Sequence, residues 1–394
     1  MRLLIVSHTP HFRRGRSLVG WGATVREIDH LATLFDEIVH LAPLYSGSPP
    51  SSALSYQATN VRVRPVTPAG GTSIFSKVGV LFRVPAWAAA IRREARQADV
   101  VHVRCPANIS FLALVMLFLM RHPRPRWVKY AGNWRPTAND PCSYRLQRWL
   151  LRQSGHGAVV TVNGRWPDER DHVVSFANPC LTQQELRQGR EITATKALQE
   201  PVRLCFVGRL EPAKGAERAL RILRQLNAGE VTSTVTFVGS GDLLPQLTEK
   251  ARAWGLESSV QFSGWVPRSE LPSILSRSHF VVLPTSASEG FPKALAEGMA
   301  FGAVPIAGAV SSIPQFLRDT GAGVAIDPQD EKGFVDAIIG FVRNVDLWSE
   351  AVENGLAAAR LFSYDAYLED VVEILETKFN CSLNRERLPT VGAS

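Results

Sequence analysis

The sequence predicts an α/β chain built from two doubly wound parallel sheets, and three observations carry that reading. Short apolar runs of strand length alternate with helix-length patterns, which argues for parallel strands joined by helical crossovers. The alternation stops at a polar stretch, residues 178–200, and then begins again. The chain has 394 residues and is 45% apolar, enough for two cores of ordinary size.

In the first half, Leu3–Ser7 reads as a strand, followed by a glycine-bearing loop (Gly15, Gly20, Gly22) and a helical pattern over Thr24–Leu34. Ile38–Leu41, Val61–Val63, Val100–Val103, Trp127–Tyr130 and Ala158–Val162 read as further buried strands. Helices are expected over Pro85–Ala98, Ile109–Met120 and Ser143–Gln153. The second half starts with strand Arg203–Val207 and helix 214–226, then Thr234–Val238, helix 243–254, Val260–Ser263, helix 269–276 and Phe280–Leu283. A helix beginning near Pro292, strand Val304–Ile306 and helices over 330–343 and 346–360 complete it. The expected organisation is a first domain 1–177, a connector 178–200 and a second domain 201–363. A helix over 364–380 is able to reach back to the first domain, and a loose tail covers 381–394. Two such domains would face each other across a cleft, with ligands at the carboxyl ends of the strands.

Charge is split unevenly. Residues 1–200 hold 26 Lys+Arg against 13 Asp+Glu, whereas residues 201–394 hold 18 against 23. A basic half suggests an anionic partner on one side only. No basic helix, zinc finger or aromatic RNA-binding signature accompanies it, so an anionic membrane surface or a lipid diphosphate is preferred to nucleic acid. Five scattered cysteines (Cys105, Cys142, Cys180, Cys205, Cys381) show no disulfide framework and fit a reducing, cytoplasmic setting. The apolar run at Met1–Val6 is too short for a signal peptide, and Ile109–Met120 falls short of the roughly 20 residues a spanning helix needs. A soluble chain is expected, with peripheral attachment to the inner face of the cytoplasmic membrane open to it.

Chemistry concentrates in Glu289-Gly290-Phe291-Pro292-Lys293-Ala294-Leu295-Ala296-Glu297. Pro292 suits the first position of a helix. That places Glu289 in the preceding loop, Glu297 on the second turn, and the N–H groups of a helix N-terminus between them, where an anion is held. Carboxylates accept from hydroxyls, so the segment suits a sugar joined to a diphosphate. Arg209 and Lys214 follow strand 203–207 and supply cations that would hold a diphosphate as its charge grows. Val238-Gly239-Ser240-Gly241 has half of a dinucleotide fingerprint, but Leu244 stands where the third glycine belongs, so a tight strand-to-helix turn is the default. After Gly264, Trp265 is either a core residue or part of a loop that reads a base edge. No Asp-x-Asp pair, Walker loop or Gly-x-Ser-x-Gly elbow occurs, and the nine histidines lack metal-ligand spacing.

The second half resembles the retaining glycosyltransferases of family 4, which have the GT-B fold of two Rossmann-like domains. The resemblance rests on Val207-Gly208-Arg209-Leu210…Lys214-Gly215, Val238-Gly239-Ser240-Gly241, Phe262-Ser263-Gly264-Trp265-Val266 and Pro284…Glu289-Gly290-Phe291-Pro292…Glu297-Gly298-Met299-Ala300…Gly302…Pro305, about 160 residues. The first half is similar in layout, with the Gly20–Gly22 loop and Asp99-Val100-Val101-His102-Val103 in the usual place. The resemblance implies a metal-independent enzyme without a cofactor that takes a UDP-, GDP- or ADP-sugar. It would move a hexose, with retained configuration, to a hydroxyl of a saccharide or lipid-linked acceptor in cell-surface polysaccharide or glycan synthesis. By position, Arg209 and Lys214 would bind the diphosphate, Glu289 the donor sugar and Glu297 the ribose hydroxyls. Gly290, Phe291 and Pro292 would cradle sugar and phosphate, and Gly22 would line the substrate site. Many members carry a histidine after the strand equivalent to Trp127–Tyr130. Here the turn is Ala131-Gly132-Asn133-Trp134, so Asn133 either donates in its place or marks a reshaped site. A non-catalytic sugar-nucleotide sensor and a sugar-nucleotide epimerase are the alternative readings.

Overall fold

The structure is a computed structural model that describes residues 1–69, 74–135, 140–153, 155, 157–229, 231–381 and 383. His156 and the tail beyond 383 lie outside the described residues. The chain divides into two compact units, one formed by Met1–Ala177 with Asp365–Ser394, the other by Asn178–Tyr364.

Unit 1 begins with β1 (Arg2–Val6), whose Leu3, Leu4, Ile5 and Val6 are all buried. The expected glycine loop is instead a hairpin, β2 (His11–Arg14) and β3 (Ser17–Trp21), with Gly15 at φ 60° in its turn. Left-handed backbone suits glycine, which lacks the Cβ that clashes there. Helix α1 (Gly22–Leu31) and β4 (Glu37–Pro43) follow, then β5 (Ala53–Ser55), which pairs with β3, and β6 (Val61–Val66). Helix α2 (Ile74–Ala95) carries Pro85 inside it, so Pro85 does not start the helix. Val80, Trp87 and Ile91, on both sides of the proline, pack into one core, and their spacing holds the helix across it. The remaining elements are β7 (Val100–Cys105), α3 (Asn108–Leu119), β8 (Arg126–Tyr130), α4 (Cys142–Arg152), β9 (Val159–Val162) and β10 (Val173–Ser175). Seven strands form one parallel sheet in the order β10-β9-β8-β7-β1-β4-β6.

Unit 2 opens with α5 (Gln183–Thr193), a helix inside the stretch expected to be a connector. A capping box starts it: the Thr182 hydroxyl accepts from the Glu185 amide, and the Glu185 carboxylate accepts from the Thr182 amide. Then come β11 (Val202–Val207), α6 (Ala216–Ala228), β12 (Ser233–Val238), α7 (Leu244–Ala253), β13 (Val260–Gly264), α8 (Leu271–Arg277) and β14 (Phe280–Leu283). Helix α9 (Lys293–Ala300), β15 (Val304–Gly308), α10 (Ile313–Thr320), β16 (Val324–Ile326), α11 (Glu331–Arg343) and α12 (Val345–Ala359) complete the unit. Its parallel sheet runs β13-β12-β11-β14-β15-β16. Strand order reverses between β11 and β14, so the crevice at their carboxyl ends is where an open sheet of this kind takes ligands. Helix α13 (Tyr364–Phe379) returns to unit 1, where Tyr367, Leu368 and Leu375 share a core with Leu3, Ile5 and Ile28.

Candidate active site

The loops leaving β11 and β14 are stitched together at that switch point. Lys214 Nζ lies 2.5 Å from Glu289 Oε2, and the two side chains remain 18% and 24% exposed. The Thr285 hydroxyl sits 3.2 Å from the other Glu289 oxygen, and the Ser286 amide donates to the Ala213 carbonyl at 2.8 Å. Arg218, on α6, donates through Nε and Nη2 to the Pro284 carbonyl at 2.9 and 2.7 Å. Gly215 is required here twice over. Its φ is 84°, and a Cβ would stand 2.2 Å from the Pro284 carbonyl oxygen.

Helix α9 begins one residue later than the sequence suggests. Pro292 is its N-cap (φ −68°, ψ 125°), and its carbonyl accepts from the Leu295 amide at 3.1 Å, as an N-cap carbonyl does. The first-turn N–H groups lack partners within the helix and carry the positive end of its dipole toward Gly290. Ser312, on the turn before α10, donates to the Gly290 carbonyl at 2.9 Å and fixes that loop. The Phe291 ring is buried and packs on Phe316 and Phe362 at 4.7 and 4.9 Å between centroids. The ring is thereby closed to a ligand.

Glu297 is held elsewhere. Arg268 pairs with Glu297 Oε1, reaches Glu185 Oε1 at 2.9 Å through Nε, and donates to the Cys180 carbonyl at 2.5 Å. Burial works against the guanidinium's charge, but Glu297 and Glu185 outweigh it and raise its pKa above the usual arginine range. Arg209 does not join the Lys214 cluster. It is 72% exposed and pairs with Glu211 at 2.5 Å. The Gly239–Gly241 turn is a packing device. Gly239 has φ 135°, a Cβ there would meet the Gly208 carbonyl oxygen at 2.0 Å, and the Leu210 amide donates to the Ser240 carbonyl at 3.0 Å. Trp265 is 47% exposed and therefore not a core residue.

In unit 1, Gly22 opens α1 with its amide on the Ser52 carbonyl at 3.0 Å, and a Cβ would come within 2.5 Å of that oxygen. Asn133 is buried. Its Oδ1 accepts from the Arg135 amide at 3.1 Å, and its carbonyl accepts from Arg148 at 3.2 Å. A groove of about 590 Å³ in unit 2 is lined by Arg203, Thr234, Gln261 and Arg277. It includes none of the Lys214 or Glu289 cluster, and the switch-point geometry outweighs its size. Sequence reasoning missed Thr285, Arg218, Ser312, Arg268 and Glu185. Of these, only the Thr182–Glu185 spacing carried a local signal, that of a capping box.

Residues 190–357 match the family model described as glycosyl transferases group 1. That segment, less than half of the chain, is similar to the group 1 glycosyltransferases. The matched segment runs from the end of α5 through most of α12 and holds Lys214, Glu289 and Glu297. Among curated relatives, glycogen synthase of Mycobacterium tuberculosis is 26% identical over 201 residues, 50% of this chain and 47% of that protein. The chain thus spans about half the length of the curated relatives it matches first. Among solved structures, sucrose-phosphate synthase from Thermosynechococcus elongatus superposes with a TM-score of 0.72 at 16% identity, covering 97% of this chain and 100% of that one. Anabaena HepE, solved in complex with UDP and glucose, gives 0.66 at 16% identity over 96% and 100%. The fold is that of the GT-B glycosyltransferases.

Proposed function

We propose that this chain transfers a hexose from a nucleotide-diphosphate sugar to an acceptor hydroxyl, with retained anomeric configuration and without a metal ion. The observation that carries the reading is the Lys214–Glu289 pair at the β11/β14 switch point, ahead of the N-terminus of α9. The pair is accessible, so a diphosphate can take Lys214 from Glu289. The freed carboxylate then accepts from hydroxyls of the donor sugar. Charge grows on the departing diphosphate, where Lys214 and the α9 dipole are already fixed, and this lowers the barrier to transfer. The same phosphate accepts the acceptor's proton on the face from which it leaves. Glu297, with one oxygen on Arg268, offers the other to the ribose. Arg209, exposed and paired only at the surface with Glu211, turns onto the diphosphate once it is bound. Gly22 and Asn133, in unit 1, keep the substrate-binding role that the sequence resemblance implies for them. Support comes from the group 1 match and from the resemblance to HepE, which was solved with UDP and glucose. The product belongs to cell-surface polysaccharide or lipid-linked glycan synthesis.

The test is a metal-free thermal shift with UDP, GDP and ADP on the wild type and Lys214→Ala. One nucleotide at a hundred times its Kd is expected to stabilise the wild type by about 2.7 kcal/mol, with the gain largely lost in the variant. Stabilisation by none of the three, or an equal gain in Lys214→Ala, overturns the reading.

A further inference from the structure

Helix α3, Asn-Ile-Ser-Phe-Leu-Ala-Leu-Val-Met-Leu-Phe-Leu, has no charged residue and is apolar on every side. A helix of that kind is ordinarily buried all round or lies against lipid. In unit 1 only part of it is buried: Ala113, Leu114 and Leu117 face the core, whereas Phe118 and Leu119 are 48% and 80% exposed. The neighbouring helices repeat the pattern. Leu81 and Phe82 of α2 are 70% and 80% exposed, and Leu146 and Trp149 of α4 are 46% and 58% exposed. Trp87 and Ile91 of α2, Leu114 and Leu117 of α3 and Leu151 of α4 enter one core on the same side of the sheet. The outer faces of the three helices therefore look out on one side of the unit. That much apolar surface on a water-facing exterior marks an interaction site.

Charge identifies the partner. Residues 74–153 hold 14 Lys+Arg against three Asp+Glu (Glu94, Asp99, Asp140). Glu94 and Asp140 are buried, and Asp140 is paired with Arg148 at 2.5 Å. Arg92 and Arg93 of α2, Arg121 and Arg124 just after α3, and Arg145 of α4 are all exposed. Arg126 is not among them: it is 2% exposed and donates to the Pro123 and Met120 carbonyls. No helix of the described residues is long and apolar enough to cross a membrane.

We propose that the outer face of α2, α3 and α4 docks unit 1 on an anionic lipid surface. Phe82, Phe118, Leu119 and Trp149 enter the boundary between headgroups and acyl chains, and the exposed arginines of these helices and of the turn after α3 meet lipid phosphates. A predominantly positive surface with protruding apolar side chains fits a fluid anionic layer, which imposes no register. This inference is independent of the donor reading, because its measurement reports binding and not transfer.

The test is co-sedimentation of the full chain with vesicles of phosphatidylglycerol and phosphatidylcholine, and of phosphatidylcholine alone. It compares the wild type with Phe118→Ser/Leu119→Ser, Arg121→Glu/Arg124→Glu and a control, Lys332→Glu, on exposed surface of α11 in unit 2. The wild type is expected to pellet with anionic vesicles and weakly with neutral ones. Each double variant lowers partitioning about tenfold or more, and the control leaves it unchanged. Absence of wild-type binding to the anionic vesicles, or double variants that bind as the wild type does, overturns the proposal. So does a vesicle-free light-scattering result in which the wild type is dimeric and Phe118→Ser/Leu119→Ser monomeric, since the face would then join two copies of the chain.

Discussion

Unit 1 buries Glu27 between Arg104 and Lys129, with the glutamate side chain 2% and the lysine 3% exposed. Arg104 grips both Glu27 oxygens, at 2.7 and 3.0 Å, and Lys129 Nζ lies 2.7 Å from Oε1. Unit 2 leaves its Lys214–Glu289 pair 18% and 24% exposed at the ends of two central strands. Both are lysine–glutamate contacts of almost the same length, yet they suit opposite tasks. A charge withdrawn from water must keep its partners, so the unit 1 cluster is a fixed part of the fold. A pair still in contact with water loses little when opened, so the unit 2 pair can exchange one partner for a ligand.

That contrast is sharpest in Glu27→Ala against Glu289→Ala, with stability measured by urea unfolding. Glu27→Ala leaves two buried cations without their carboxylate and is expected to cost about 3–5 kcal/mol. Glu289→Ala is expected to cost about 1 kcal/mol or less while lowering sugar transfer by about 10²–10³-fold. Equal stability losses would break the comparison.

A somewhat smaller effect concerns pH. Burial, opposed weakly by the Thr9 carbonyl, pulls the His11 pKa down to about 4. Unfolded histidine protonates near 6.5, so between about pH 6.5 and 4 the unfolded state binds the extra proton and stability falls as pH drops. Full development of that shift is worth about 3 kcal/mol. His11→Gln should flatten the pH dependence of the unfolding free energy in this window, whereas Lys214→Ala should leave it as it is. An unchanged slope in His11→Gln would place the pH dependence elsewhere.

Arg209→Ala has the smallest expected effect on the fold. The residue is 72% exposed, and its pair with Glu211 is worth well under 1 kcal/mol, so the midpoint of thermal unfolding should barely move. Nucleotide stabilisation in this variant separates two roles. A loss shows that Arg209 swings onto the diphosphate, and an unchanged gain leaves that work to Lys214.

Much of the fold was legible because buried parallel strands are written as continuous β-branched and aromatic runs, as in Val100–Cys105 and Phe280–Leu283. The β2–β3 hairpin was not, since Arg13 and Arg14 face water and no apolar run marks it. The short edge strands β10 and β16, three residues each, carry too little pattern to separate from loops. Helix α5 was hidden by the polar composition of residues 178–200. At the site, Lys214 and Glu289 stood out by motif although 75 residues separate them. Arg268 did not: it gathers Glu297, Glu185 and the Cys180 carbonyl from up to 88 residues away, which no local spacing announces.

The sequence by itself determined the two alternations of strand and helix, the glycines that let β11's loop approach its neighbours, and the charged residues brought to the strand ends. Those are local properties, fixed by periodicity, by φ at a glycine and by residue type. Only the tertiary structure decided which charges are sealed in and which stay accessible. It turned the Phe291 ring into core, Arg126 into a buried donor and α3 into a helix with an uncovered apolar face. Exposure depends on which distant segments pack over a residue, and that is settled when the sheets and helices assemble.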